Sequence, residues 1–351
     1  MKEIDPKKPV LVTGGTGYLA SWIVKQLLDM GMTVHATVRN VSDTSKYEHL
    51  ISLADGASVQ LNVFNADLLK EGSFDAAMEG CELVYHTASP FLLGKLKDPE
   101  NDLIKPARQG TENVLESANR LSSVKRVVLT SSIFAILGDS ADIALTRDTV
   151  FTEKHWNITS SSEHQPYSYS KTVAEKTAWS MMEKQTQWDL VVINPGWILG
   201  PSLTRRTDSA SIKTMIEFGN GTFKSGVPDL YFGIVDVRDV ALAHIRAGLT
   251  PEAEGRHIIV NQSASLMDIA DILKKQYGKA YPFPHRVAPK WFFWLTAPLY
   301  GRTRKYVTRN IGYPMALDNT KSKQSLKLDY QPFEKTILDH FQQLLDDELI
   351  F

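Results

Sequence analysis

Tyr167 and Lys171 stand four residues apart in Tyr167-Ser-Tyr-Ser-Lys171, the spacing that places two side chains on one face of a helix. An ammonium beside a phenol favours the phenolate. The pair therefore predicts a tyrosine with its pKa drawn below the ordinary value of about 10, able to pass a proton. A string this short recurs by chance, so its meaning depends on the elements that carry it.

Those elements begin near the N-terminus. Residues 9–13 read as a short buried strand, and Gly14-Gly-Thr-Gly17-Tyr-Leu-Ala20 turns directly into a helix. Gly14 permits the tight turn, Gly17 lets backbone N–H groups approach a pyrophosphate, and the small Ala20 lets the helix pack on the strand. Leu19, Ile23, Leu27 and Leu28 follow at helical spacing, Gly31 ends the helix, and residues 33–38 form a second strand. Strand, glycine-rich loop, helix and strand in that order predict a dinucleotide site. At the end of the second strand, where an NAD site places a carboxylate on the ribose hydroxyl, the chain has Arg39. A guanidinium there grips a 2′-phosphate, with Lys46 as a second cation, which favours NADP(H) over NAD.

Further buried strands are expected at residues 59–64, 83–86, 126–130 and 190–193, with a helix over 99–120. This alternation specifies an α/β, Rossmann-type, doubly wound parallel sheet that collects ligands at the carboxyl ends of its strands. The loops there hold Asp67-Leu68, His86-Thr-Ala-Ser-Pro90, Thr130-Ser-Ser132 and Asn194-Pro-Gly196, polar or small groups able to line one groove. Beyond Pro201, residues 204–209 read as a mobile loop before a helix at 211–218. The chain is then expected to rejoin the main sheet through 231–235, a helix at 237–247 and a strand at 257–260. Ser265 and Asp268 form a capping-box pattern ahead of another helix. The resulting division is a dinucleotide-binding domain at 1–201, rejoined by about 231–262, and a smaller, mostly C-terminal α/β substrate-binding domain at 202–230 and 263–351.

The 351 residues include 43% hydrophobic ones, enough for a substantial core. With 39 Lys plus Arg against 40 Asp plus Glu, no global field draws the chain to nucleic acid or to acidic membranes. A single cysteine, Cys81, excludes an internal disulfide and a cysteine metal site, in keeping with a reducing compartment. The opening Met1-Lys-Glu-Ile-Asp-Pro6 lacks the apolar core of a signal peptide, and no stretch reaches about 18 apolar residues. A cytoplasmic protein with no membrane partner is expected, as a monomer or a homodimer. Trp291-Phe-Phe-Trp-Leu295 is apolar enough for membrane or partner contact, but at five residues a place in a core or over a pocket is expected.

Together these motifs resemble the extended short-chain dehydrogenase/reductase superfamily, in particular its dihydroflavonol 4-reductase-like group of carbonyl reductases. The resemblance covers most of the chain. It is strongest through Val12-Thr-Gly-Gly-Thr-Gly-Tyr18, Ala36-Thr-Val-Arg39, Ala66-Asp-Leu68, His86-Thr-Ala-Ser-Pro90, Leu129-Thr-Ser-Ser132, the run from Tyr167 to Glu175, and Gly200-Pro201. It implies a catalytic set of Ser132, Tyr167 and Lys171. Tyr167 would be the general acid for a hydride transfer from NADPH to an aldehyde or ketone, Ser132 would polarise the carbonyl, and Lys171 would lower the Tyr167 pKa and bind the ribose. It further implies cofactor contacts at Thr13, Gly14, Thr16, Gly17, Tyr18 and Leu19, and at Arg39 and Lys46. Asp67 and Leu68 would border the adenine. The same cofactor would meet Thr87, Ala88 and Ser89, Thr130 and Ser131, Tyr167 and Lys171, and Pro195, Gly196 and Ile198. No metal is implied, and His86 has no catalytic part.

Two departures bear on substrate. Leu137 stands where flavonoid reductases have an asparagine, and Glu163-His-Gln-Pro166 replaces the Lys-Asn-Trp of cinnamoyl-CoA reductases. Phe91, Leu137 and Trp197 then predict an apolar substrate wall. Two other readings share the motifs: an NAD-dependent nucleotide-sugar epimerase or dehydratase, against which Arg39 argues, and a non-catalytic dinucleotide sensor, against which Tyr167 and Lys171 argue.

Overall fold

The computed structural model describes residues 2–55, 60–90 and 97–350. Ten strands are β1 (Val10–Thr13), β2 (Val34–Val38), β3 (Leu61–Asn65), β4 (Leu83–His86), β5 (Arg126–Thr130), β6 (Asp189–Pro195), β7 (Trp197–Leu199), β8 (Tyr231–Asp236), β9 (Gly255–Ile259) and β10 (Gln262–Ser265). Seven of them make a parallel sheet in the order β3-β2-β1-β4-β5-β6-β9. The order reverses between β1 and β4, and the crevice beyond their carboxyl ends is where a doubly wound sheet takes its ligand.

Side chains alternate across this sheet with the period of two that a pleated strand imposes. Val10 and Val12 face one layer of helices, Tyr18–Asp29 and Val237–Leu249, while Leu11 faces the other, Lys105–Arg120 and Pro166–Met182. Ile23, Leu27 and Val240 are completely buried in the first layer, and Val114, Leu115 and Ala178 in the second. Truncating one such side chain, Ile23→Ala, would cost about 2–5 kcal/mol.

Three expectations need correction. The strand at 231–235 does not rejoin the main sheet: β8 pairs antiparallel with β10 and parallel with β7 in a separate three-stranded sheet, and only β9 returns to β6. Gly196 allows this sheet switch, because a Cβ there would lie 2.1 Å from the Gly233 carbonyl oxygen. The helix expected over 99–120 is divided into a π-helical turn, Glu100–Ile104, and an α-helix, Lys105–Arg120. Pro106 accounts for the division, since it has no N–H and its ring crowds the carbonyl four residues back. Finally, Trp291-Phe-Phe-Trp-Leu295 is not core: it forms a helix, Lys290–Thr296, with no buried residue.

Candidate active site

The glycine-rich loop is shaped by its neighbours. Gly14 has φ +67°, in the left-handed region that glycine enters without strain, and a Cβ on Gly15 would lie 2.9 Å from the Ala36 Cβ. Thr37 fixes the loop from β2, its hydroxyl accepting from the Gly14 N–H at 2.9 Å and its carbonyl from the Gly15 N–H at 2.9 Å. The helix from Tyr18 has no acidic residue in its first turn, so its open N–H groups and dipole can receive an anion. Tyr18 and Leu19 offer backbone rather than side chain: the Tyr18 phenol donates to the Gly200 carbonyl at 2.5 Å, and Leu19 is buried in the core.

Thr13 clamps the crevice. Its hydroxyl accepts from the N–H groups of Thr87 at 3.1 Å and Ala88 at 3.0 Å, and it lies 3.0 Å from His86 Nδ1. His86 is buried, and desolvation, helped by the charge of Lys171, pushes it down to about 3. The crevice floor is completed by Leu68, Ser89, Thr130, Ser131 and Lys171, which border one cavity. The Leu68 carbonyl accepts from Asn113 Nδ2 at 2.7 Å, and the Asp67 carboxylate from the Leu69 N–H at 2.9 Å. Arg39 and Lys46 are both exposed, Arg39 just beyond the carboxyl end of β2.

Ser132 follows β5, its backbone extended and its Oγ accepting from the Phe134 N–H at 3.2 Å. The Phe134 ring meets the Tyr167 ring edge-on at 6.1 Å. Lys171 Nζ lies 5.9 Å from the centre of the Tyr167 ring and donates to Ser89 Oγ at 3.0 Å. The structure thus joins the carboxyl ends of β4 and β5 to one helix, Pro166–Met182. The expected acidic phenol is not what these surroundings give: burial pushes Tyr167 up to about 12, and pushes the Lys171 ammonium down to about 8. Both groups lose water on a half-buried wall, and that loss penalises the charged form of each.

Two polar networks, neither marked by a sequence motif, hold this geometry. Behind β5, the buried Glu175 carboxylate accepts from Ser131 Oγ at 2.5 Å, Asn194 Nδ2 at 2.8 Å and Arg256 Nε at 2.6 Å. Asn194 also donates to the Ser132 carbonyl at 3.1 Å. Glu175 follows Lys171 by four residues and Tyr167 by eight, a spacing that puts all three along one stripe of the helix and could have flagged it. In front, Gln165 precedes the helix with φ +55°, a costly conformation for a non-glycine residue. Its amide donates to Asp139 at 2.6 Å and to the Gly138 carbonyl at 2.5 Å. Fully buried Asp139 also takes His164 Nε2 at 2.9 Å, Arg309 Nε at 2.7 Å and Asn310 Nδ2 at 2.7 Å.

Arg206 is likewise unmarked by any motif. Its guanidinium donates to the Thr16 carbonyl of the glycine-rich loop at 2.8 Å and pairs with Asp208 at 2.7 Å. The loop at 204–209 is therefore tethered where a phosphate would sit, and only the adjacent Arg205-Arg206 pair hinted at it in the sequence.

The substrate-wall residues fare differently. Leu137 is 1% exposed, packed with Ile133, Ile136 and Phe151, so it is core rather than an open wall. Trp197 is itself part of the small sheet, as the first residue of β7, with its ring 4.8 Å from Phe232 and its indole N–H donating to Ser211 Oγ at 3.1 Å. Phe91 lies outside the described residues. Pro195 ends β6, Gly196 donates to the Ile259 carbonyl at 3.1 Å, and Ile198 lies in β7.

Known proteins share this plan. A cinnamoyl-CoA reductase of Medicago truncatula, CAD2, is 39% identical over 341 residues, 95% of either chain. An anthocyanidin reductase of Vitis vinifera, (2S)-flavan-3-ol-forming, is 37% identical over 282 residues, 77% of this chain and 81% of its own. Yeast methylglyoxal/isovaleraldehyde reductase Gre2, solved with NADPH, matches with a TM-score of 0.78 at 28% identity, over 98% of this chain and 100% of that one. Residues 10–261 match the NAD dependent epimerase/dehydratase family, and the chain belongs to that family, as an extended short-chain dehydrogenase/reductase.

Proposed function

We propose that this protein is an NADPH-dependent reductase that converts an aldehyde or ketone to the alcohol. The observation that carries the reading is the meeting of Tyr167, Lys171 and Ser89 at the carboxyl ends of β4 and β5, beside the crevice where the strand order reverses. The left-handed Gly14 turn and the acid-free start of the Tyr18–Asp29 helix fit a dinucleotide pyrophosphate. Arg39, Lys46 and Arg206 supply the positive charge a 2′-phosphate needs. The NADPH complex of the yeast reductase supports the same cofactor here.

When bound, NADPH supplies the hydride. Tyr167, a neutral phenol at physiological pH, donates its proton to the carbonyl oxygen as negative charge develops there. Ser132, held by the Asn194 bond to its carbonyl, donates a second hydrogen bond to that oxygen. Lys171 keeps a positive charge beside the phenol ring as it becomes a phenolate, and, held by Ser89 beyond the end of β4, it would also bind the ribose. The division of labour gives the dinucleotide to residues 1–201 and β9, and the substrate to 202–230 and 263–351 together with β8 and β10.

The test is to mix the purified protein with NADPH and a panel of aldehydes, ketones, a hydroxycinnamoyl-CoA thioester and sugar nucleotides. Carbonyl-dependent loss of NADPH absorbance supports the reading. Turnover of the thioester alone would replace its substrate class, and sugar-nucleotide conversion without net cofactor loss would replace the reaction. Tyr167→Phe should lower turnover about a hundredfold or more while sparing NADPH affinity.

A further inference from the structure

The Lys290–Thr296 helix and the turn Ala297–Tyr300 that follows it are anchored on one side only. Phe293 and Ala297 pack with Val307 and Ile311. The opposite side is open, with Trp291 at 64% exposure, Phe292 at 42%, Leu295 at 54% and Leu299 at 83%. Six of the eleven large apolar side chains exposed among the described residues fall between 287 and 299. They are gathered on one short stretch of chain, not scattered singly as on ordinary surfaces.

The stretch of chain that carries it is cationic although the chain as a whole has a formal charge of −1. From 286 to 317 there is no aspartate or glutamate, against Arg286, Lys290, Arg302, Arg304, Lys305 and Arg309. Among the described residues only Arg309 of these six is in an ion pair, with Asp139 and Asp142. Arg304 lies 4.3 Å over the Trp294 ring and Arg302 lies 5.1 Å over the Tyr306 ring, so cations border aromatic faces directly. A second copy of this patch would face it with like charge. A surface of phosphate headgroups over acyl chains complements both features, because tryptophan settles at that boundary while arginine and lysine reach the headgroups.

We propose that the surface at 287–305 docks this protein on an anionic lipid bilayer. Trp291, Phe292, Leu295 and Leu299 enter the headgroup boundary, and Arg302, Arg304 and Lys305 meet the phosphates. The attachment is peripheral, since no helix among the described residues is long and apolar enough to cross a membrane. The proposal departs from the expectation of no membrane partner, which rested on net charge and on the lack of a long apolar stretch, because neither registers a short cluster of cations and aromatic rings. It does not depend on the substrate or the reaction.

Vesicle flotation of the full chain tests it, using phosphatidylcholine vesicles with and without phosphatidylglycerol. Binding is expected only with the anionic lipid, and should weaken as salt rises. Trp291→Ser with Leu295→Ser should abolish it. Arg302→Glu with Lys305→Glu should weaken partitioning at least about tenfold, each cation near the surface contributing about 1 kcal/mol. Both variants should retain the melting temperature of the parent, since the altered side chains are exposed. Equal binding to the two vesicle types, no binding, or binding untouched by either variant would overturn the proposal. A wild-type dimer made monomeric by Trp291→Ser with Leu295→Ser would also overturn it, assigning the patch to a second copy.

Discussion

Glu175 and Arg256 form a buried ion pair, 2.6 Å from Oε1 to Nε, directly behind the serines that follow β5. The carboxylate is completely buried and the guanidinium nearly so, yet neither is short of partners. Ser131 and Asn194 complete the acid, while the carbonyls of Glu153 and His155 and the Trp156 ring complete the base. Removing one partner strands the other charge in the interior. Glu175→Ala should therefore cost about 3–5 kcal/mol of stability, measured by denaturant titration. Glu175→Gln should cost less, because its carbonyl can still accept one of these bonds. The double variant Glu175→Met with Arg256→Met should be less damaging than the sum of its single changes, a coupling that only a direct interaction produces.

Lys171 sets the second prediction. Its pKa near 8 in the free protein leaves an ammonium below that pH and a neutral amine above it. Tyr167, pushed up to about 12, stays protonated throughout that range. The kcat/KM for carbonyl reduction should thus fall as pH rises through about 8, a limb belonging to the lysine. In Lys171→Arg, whose charge persists to far higher pH, the limb should disappear from pH 6–10 even if the rate is reduced. A limb unmoved by that substitution would assign it to another group.

The cofactor end gives the third. Arg39→Asp should weaken NADPH binding and improve NADH binding, because a carboxylate repels the 2′-phosphate and accepts from a 2′-hydroxyl. Arg206→Ala should weaken NADPH binding while affecting NADH less if the guanidinium serves the 2′-phosphate. An equal loss for both would place it at the pyrophosphate. Fluorescence titration of the two reduced dinucleotides separates these results.

These predictions divide along what the sequence could reveal. The bounds of β4 and β5 were legible to the residue, because short apolar runs between polar loops specify buried parallel strands. The glycine-rich turn was legible because its residues are consecutive. The Asp139 hub was not: its partners His164, Arg309 and Asn310 lie 25 to 171 residues away, and no periodicity marks them. Assigning β8 to the main sheet failed for a related reason, since an apolar run specifies burial but not which sheet buries it. Residues 291–295 and Leu137 fail in opposite directions. Both are apolar, yet one is exposed and the other sealed, and composition alone cannot separate those outcomes. The expected acidic Tyr167 counted a neighbouring charge and omitted desolvation.

Asp239 offers a last test, away from the site. It is buried at the start of the Val237–Leu249 helix, where its carboxylate accepts from the Gln331 N–H at 2.8 Å. Burial is the main cause that pushes its pKa up to about 7, with the nearby Asp236 adding to the rise. A carboxyl that binds its proton more tightly folded than unfolded makes stability fall as pH rises from about 4 to about 7, and leaves the full cost in place above that. Asp239→Asn keeps an oxygen for the Gln331 N–H and removes the charge. The variant should melt a few degrees above the parent at pH 8, corresponding to about 1–3 kcal/mol, and the gap should narrow steadily toward pH 5. A gap independent of pH would mean that Asp239 ionises as freely inside the fold as outside it.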